Sequence, residues 1–279
     1  MKKKRNSMLP NMDEMKAHVR SKGRAIRTLY IFLNGLVTIT LVRSFWRGEL
    51  FNVLVCLLTL VLFMIPAMVE KNFRLRLPRF FEGVVLLFIF SAEILGEINC
   101  YYQKIPHWDT VLHTVNGFMF AAFGFALLDM INRDGNIKFQ LSPLYLALVA
   151  FCFSMTVGVL WEFFEFGADM LLHTDMQKDT YLTDIYTVML DMEKTNTVIP
   201  VEGIEAVTVC GGIGDVVLPA YLDIGLFDTM KDLMVNFIGA LVFSIIGYFY
   251  VKEKGEGRFA KQFIPRLEEN EETSAILPK

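Results

Sequence analysis

Side chains that could bind a cation or carry a proton recur in several otherwise apolar stretches of this 279-residue chain. Within each stretch they are mostly three or four residues apart, so each set lies on one face if the stretch is helical. Ionisable groups inside apolar helices are costly and mark functional sites by default. The recurring side chains are Glu93 and Glu97; Asp109, His113 and Asn116; Glu162, Glu165, Asp169 and His173; and Asp228, Asp232 and Asn236.

The chemistry that suits this set is cation binding. Several carboxylates beside an imidazole repel one another unless some are protonated or a cation lies among them. Oxygen donors with one histidine suit magnesium, manganese or calcium, and suit zinc less well. We therefore predict a divalent cation (magnesium, manganese or zinc), with His113 or Glu165 as general base. The candidate ligands are Asp109, His113, Glu162, Glu165, Asp232 and Asn236.

Simpler roles are open for individual members of the set. An acid in the first turn of a helix complements the positive helix N-terminus, and this applies to Asp109 and Asp228. A charged group near a helix end can also extend to the membrane surface. The set as a whole favours a shared site, because His113, Asp232 and Asn236 lie too far along their segments to act as caps.

The stretches that carry these residues are long enough to cross a bilayer. Hydrophobic residues make up 54% of the chain and charged residues 20%, against about 45–50% and about 25% in soluble domains. A spanning helix needs roughly 20 mostly apolar residues, and backbone groups in lipid must be paired within the segment. We predict an all-α, polytopic membrane protein with spans over about 28–45, 51–69, 80–98, 108–131, 143–172 and 227–251.

The basic residues predict the orientation of these spans. Most of the 27 lysines and arginines lie in the tail 1–27, in the loops after the second and fourth spans, and in the tail 252–279. Because positively charged loops stay in the cytoplasm, both termini are predicted to be cytoplasmic. The polar sets then lie near the outer surface, with His113 about 7 Å inside its span. The sequence predicts no comparable cluster at the inner side.

A long outer loop, 173–226, separates the fifth and sixth spans and is rich in acidic residues. A structureless loop of this length is uncommon. We expect a small folded cap with a short helix near Thr183–Met192 and a hairpin around Gly211–Gly214. Cys100 and Cys210 could pair in an oxidising compartment, but the sequence leaves that pairing open.

The strings that carry the polar sets resemble those of the YjdF-like family of predicted bacterial inner-membrane proteins, and more distantly the VanZ-like proteins. The resemblance covers roughly 108–251 and implies a multi-pass protein of the bacterial inner membrane. It implies no reaction, because the YjdF-like family has no established activity. The loop before Asp228 is longer here than the short glycine-rich connection of that family. The matching strings are His107-Trp108-Asp109-x3-His113-x3-Gly117, Trp161-Glu162-x-x-Glu165-x3-Asp169 and Phe227-Asp228-Thr229-x-x-Asp232-x3-Asn236-x-x-Gly239.

Three functions follow from these observations and remain open at the level of sequence. The first is a cation-dependent enzyme that acts on a lipid-linked or envelope substrate at the outer leaflet. The second is an ion- or proton-coupled transporter, which the outward bias of the polar set disfavours because transporter sites usually lie near the midplane. The third is a non-catalytic membrane factor. The lipid bilayer is the expected partner, and a net charge of −3 argues against nucleic acid.

Overall fold

The computed structural model describes residues 8–73, 75–133, 141–212, 214–253, 257, 259–264 and 266–267. The first seven residues and most of the tail 252–279 therefore lie outside the described residues. The helices are α1 (Met12–Ser21), α2 (Arg24–Arg47), α3 (Leu50–Leu62), α4 (Ile65–Phe73), α5 (Arg79–Phe90), a π-helical segment (Ser91–Ile98), α6 (Tyr101–Lys104), α7 (Trp108–Arg133), α8 (Pro143–Leu172), α9 (Leu226–Lys252) and a 3₁₀ turn (Ala260–Gln262).

Five helical stretches among the described residues are long and apolar enough to cross a membrane: Arg24–Arg47, Leu50–Phe73, Trp108–Asp129, Pro143–Leu172 and Leu226–Lys252. They correspond to five of the six predicted spans. The predicted span 80–98 is instead α5 followed directly by the π-helical segment. This change of winding leaves no single α-helix of spanning length there, and hydropathy does not distinguish the two kinds of helix.

The second predicted span, 51–69, is divided by a turn at Phe63 and Met64 into α3 and α4. Pro66 explains the division, because proline has no N–H to donate to the carbonyl four residues earlier, that of Leu62, where α3 ends, and is tolerated in the first turn of α4. The helix after the turn continues to Phe73. Glu70 therefore lies on a helix rather than in the predicted loop.

The chain divides into two compact units, which are described separately. The helical unit comprises Met1–Val157 and Val235–Lys279, and its core has two apolar clusters. One is centred on Tyr30, Leu33, Val37, Cys56 and Leu86. The other is aromatic, with the Phe118 ring 5.1 Å from Phe243 and 4.9 Å from Phe263 in edge-on contacts. A short antiparallel pair, β1 (Leu75–Arg76) with β8 (Arg266–Leu267), also belongs to this unit.

The loop unit, Gly158–Met234, contains the end of α8, the start of α9 and the predicted cap between them. Its strands form three antiparallel pairs: β2 (Thr180–Leu182) with β7 (Tyr221–Asp223), β3 (Ile185–Thr187) with β4 (Ile199–Val201), and β5 (Val207–Gly211) with β6 (Gly214–Leu218).

The all-α prediction describes the spans, whereas the cap is built of strands. The hairpin predicted around Gly211–Gly214 is confirmed as β5–β6, in which Val207 lies opposite Leu218. The helix predicted near Thr183–Met192 is wrong. β3 lies in that range because its isoleucine, tyrosine and threonine favour extended backbone. All four cysteines, including Cys100 and Cys210, are free thiols.

Candidate functional site

Two predicted ligands meet near the start of α7 in the helical unit. Asp109 and His113 lie one helical turn apart, and the Oδ1 atom of Asp109 is 3.4 Å from Nε2 of His113. Their side chains are only 23% and 11% exposed. Two ligands of one metal ion lie roughly 3 Å apart, because each is about 2.1 Å from the ion. The pair therefore has a separation that coordination of one ion requires.

Two amides of the recurring polar sets also meet in the helical unit. Asn116 of α7 donates a hydrogen bond from Nδ2 to Oδ1 of Asn236 on α9 at 3.3 Å. Asn236 is 1% exposed, and its own Nδ2 lies 3.6 Å from the Met155 sulfur of α8. A buried amide in an apolar helix needs such partners, because no water is present to satisfy it. The contact joins α7 and α9.

The helices approach each other closely at the same level. A Cβ atom at Gly117 would overlap the backbone carbonyl oxygen of Asn236, and one at Gly239 would overlap that of Thr114. Ser154 of α8 is fully buried and donates its hydroxyl to the Gly117 carbonyl at 2.7 Å. The two glycines thus allow backbone contact between α7 and α9, and α8 is bound to the same point.

The π-helical segment is joined to the start of α7. The indole N–H of Trp108 donates to the Ser91 carbonyl at 3.3 Å, and the Trp108 ring packs edge-on against Tyr101 at 5.0 Å. Glu93 and Glu97 lie on this segment. π-helical turns inside α-helices are frequent at functional sites, and hydropathy alone did not predict this one.

In the loop unit, two further predicted ligands are buried near the end of α8. Glu162 is 4% exposed and Glu165 is 8% exposed. The indole N–H of Trp161 donates to Oε1 of Glu165 at 2.9 Å. Buried acids that lie one turn apart on an apolar helix need a proton, a cation or strong donors to remain there.

The acids at the start of α9 have a basic neighbour. Asp232 is 2% exposed, and Nζ of Lys231 is 3.7 Å from its carboxylate. Asp228 lies 3.3 Å from the same Nζ and accepts the backbone N–H of Lys178 at 2.8 Å. Asp228 therefore anchors the cap to α9, which supports the simpler role considered for it.

Asp169 has a structural role in the loop unit, whereas His173 is exposed. The Asp169 carboxylate accepts the backbone N–H groups of Met176 and Gln177 at 2.7 and 2.8 Å, and the Thr174 hydroxyl at 2.7 Å. These bonds close the turn that follows α8. His173 is exposed, has a left-handed backbone with φ of 55°, and lies just after the helix.

The sequence analysis did not predict a second polar cluster, which lies in the helical unit. His18 and Lys22 contact the carboxylates of Glu70 and Glu82, and Tyr30 donates to Glu82 at 2.9 Å. All five belong to the helical unit. Glu82, an acid inside the predicted span 80–98, was the signal that could have revealed the cluster.

The long apolar helices and their buried polar contacts define a polytopic helical membrane protein. More particularly, the chain belongs to the DUF2238 family of predicted membrane proteins, whose sequence model matches residues 28–253. The resemblance to YjdF-like proteins agrees with this membership. An uncharacterized protein of Thermotoga maritima is 28% identical over 107 residues, which are 38% of this chain and 53% of that protein. The chain thus matches about half the length of that relative. No solved structure matches.

Proposed function

We propose that the protein is a cation-dependent enzyme of the membrane, with its site near the outer leaflet. The observation that carries the proposal is the Asp109–His113 pair, whose facing oxygen and nitrogen atoms are 3.4 Å apart in a largely buried environment. The remaining candidate ligands are those proposed from their helical spacing: Glu162 and Glu165 on α8, and Asp232 and Asn236 on α9.

The proposed chemistry is activation of water against a lipid-linked or envelope substrate. A divalent cation lowers the pKa of bound water and polarises a carbonyl or phosphoryl oxygen. Such a cation also offsets the repulsion among buried carboxylates, which would otherwise raise the energy of the folded protein. Glu165 or His113 would take the proton from the attacking water, and Trp161 holds Glu165 in one orientation.

The test is the metal content of detergent-purified protein incubated with magnesium, manganese or zinc and then desalted. We expect about one ion per chain in the wild type and its loss in His113→Asn and in Glu162→Gln. His107→Asn is a matched control, because His107 is exposed and has φ of 61°, a conformation that asparagine tolerates. Glu205→Gln is the control for the acid, because Glu205 is exposed in the loop unit.

Two results would contradict the proposal. One is wild-type protein without stoichiometric metal, together with proton-coupled flux in proteoliposomes, which would favour a transporter. The other is equal metal content in His113→Asn and His107→Asn, which would place any bound metal elsewhere.

A further inference from the structure

The short amphipathic helix α1 is attached to the helical unit by a largely buried ionic network. His18 of α1 contacts both acids: its Nδ1 is 3.2 Å from Glu70 of α4, and its Nε2 is 2.9 Å from Glu82 of α5. Lys22, just after α1, contacts the same two carboxylates at 2.7 and 2.8 Å. Tyr30 of α2 donates to Glu82 at 2.9 Å. Four helical elements thus converge on one set of charges.

The burial of this network makes its charge balance important. Glu82 is completely buried and Tyr30 is 2% exposed, while the side chains of His18 and Lys22 are only 9% and 10% exposed. With His18 protonated, two cations face two carboxylates and the network is neutral. With His18 neutral, Lys22 alone faces both carboxylates. Buried charge without a full counter-charge is strongly destabilising.

We propose that His18 is a proton-binding site that controls the docking of α1: the protonated imidazole bridges Glu70 and Glu82 and holds the helix, and loss of the proton releases it. This site is separate from the proposed metal site and does not depend on it. The other groups that face His18 are Lys22, whose Nζ contacts the same two carboxylates, and Tyr30, whose hydroxyl donates to Glu82.

The direction of the pH effect follows from the contacts of His18. Burial lowers its pKa, but the hydrogen bonds to Glu70 and Glu82 outweigh burial, so the pKa of the docked imidazole is raised above its usual value. Docking is therefore fully stabilised below the ordinary histidine pKa of about 6.5. The stabilisation is lost as the pH rises through the raised pKa of the docked state. For each unit by which the pKa of docked His18 exceeds the ordinary histidine pKa, protonation favours the docked state about tenfold more.

Release would leave α1 connected to α2 only through Lys22 and Gly23. Gly23 is the N-cap of α2 and makes no side-chain cap, so the connection is short but conformationally free. A second ion pair, Glu14 with Lys71 at 2.8 Å, also joins α1 to α4. The hydrogen bond to Lys71 lowers the pKa of Glu14, so this carboxylate is already charged below the pH at which His18 loses its proton. The pair therefore supports docking without making it pH-dependent in that range.

The test is hydrogen exchange of the α1 amides in full-length protein in nanodiscs, between pH 6 and 9, corrected for the intrinsic rate. In the wild type, we expect protection to fall about tenfold or more as the pH rises. In His18→Gln, protection should be low and independent of pH. Arg20→Gln is the matched control: it removes one positive charge from the same helix, but Arg20 is exposed. It should behave like the wild type.

A second variant keeps the proposal testable if His18→Gln folds poorly. Glu70 is partly exposed at the edge of the network, so Glu70→Gln should be tolerated. It should move the midpoint of the protection change to lower pH, because one of the two carboxylates that raise the His18 pKa is removed. The His18 pKa, measured by NMR on histidine-labelled protein, should fall in parallel. Wild-type protection that is constant with pH, or equal midpoints in wild type and Glu70→Gln, would overturn the proposal.

Discussion

At the scale of single residues, two buried polar contacts join neighbouring spans. Asn236 accepts from Asn116, and Ser154 donates to the carbonyl of Gly117. A membrane interior offers no water as a substitute partner. A buried hydrogen bond between two helices therefore contributes more to holding them together than a hydrogen bond made by an exposed hydroxyl.

The Ser154 hydroxyl gives a residue-scale prediction. Ser154→Ala should lower the free energy of unfolding by about 1 kcal/mol, because it removes a buried bond between α8 and α7. Thr156→Val is the matched control, since the exposed Thr156 hydroxyl bonds only to Cys152 of its own helix. Thermal unfolding of both variants in the same detergent would check this. A larger loss in Thr156→Val than in Ser154→Ala would contradict it.

At the scale of elements, α7 and α9 can cross closely because each has a glycine at the crossing point. Gly117 and Gly239 lie against backbone of the opposite helix. Small residues are the usual means of close approach between membrane helices, because packing replaces the hydrophobic effect there. The crossing brings Asn116 and Asn236 within hydrogen-bonding distance.

Gly239→Ala should separate these helices and destabilise the protein by about 1–3 kcal/mol, because the added carbon meets backbone atoms that cannot rotate away. The matched control is Gly35→Ala in α2, where a Cβ atom has nothing within 4 Å. Alanine is a better helix former than glycine, so Gly35→Ala should be neutral or slightly stabilising. Unfolding of both variants in one detergent provides the comparison, and equal losses would contradict the packing argument.

At the scale of the whole molecule, the basic residues predict that both termini face the cytoplasm and that the cap 173–226 faces outward. The structure offers two reporter positions in different parts of the chain. Cys210 is an exposed thiol of β5, and Lys16 is an exposed residue of α1.

We expect a membrane-impermeant maleimide to label Cys210 in intact spheroplasts, when it is the single remaining cysteine. The Lys16→Cys variant, with the native cysteines replaced, should be labelled only after the membrane is opened, since positively charged segments remain in the cytoplasm. A protein in which every cysteine is replaced is the control for background labelling. The reverse labelling pattern would contradict the predicted orientation.

Hydropathy predicted the long helices well, because burial in lipid imposes a simple rule of length and composition. The predicted span 143–172 has the bounds of α8, Pro143–Leu172. The π-helical winding was not predictable, because its residues are equally apolar in either helix. The cap was partly predictable: the glycines of the β5–β6 turn gave a signal that was used, whereas the β-favouring residues of β3 form a run of only three and were overlooked.

For the candidate site, the sequence predicted sets along each helix; in the structure Asp109 lies beside His113, and Asn116 bonds to Asn236. The helical period makes the first pair predictable. The His18 cluster was not predicted, because its members belong to segments whose packing cannot be obtained from periodicity.

His18 precedes Glu82 by 64 positions, and this order has a consequence for biosynthesis. The ribosome delivers α1 well before the acids that will neutralise it. With the predicted cytoplasmic N-terminus, we expect Lys22 to face the anionic membrane surface during that interval and to help orient the first span. Lys22 can pair with Glu82 only after α5 has been inserted. The same lysine would thus contribute to insertion early and to the assembled protein later.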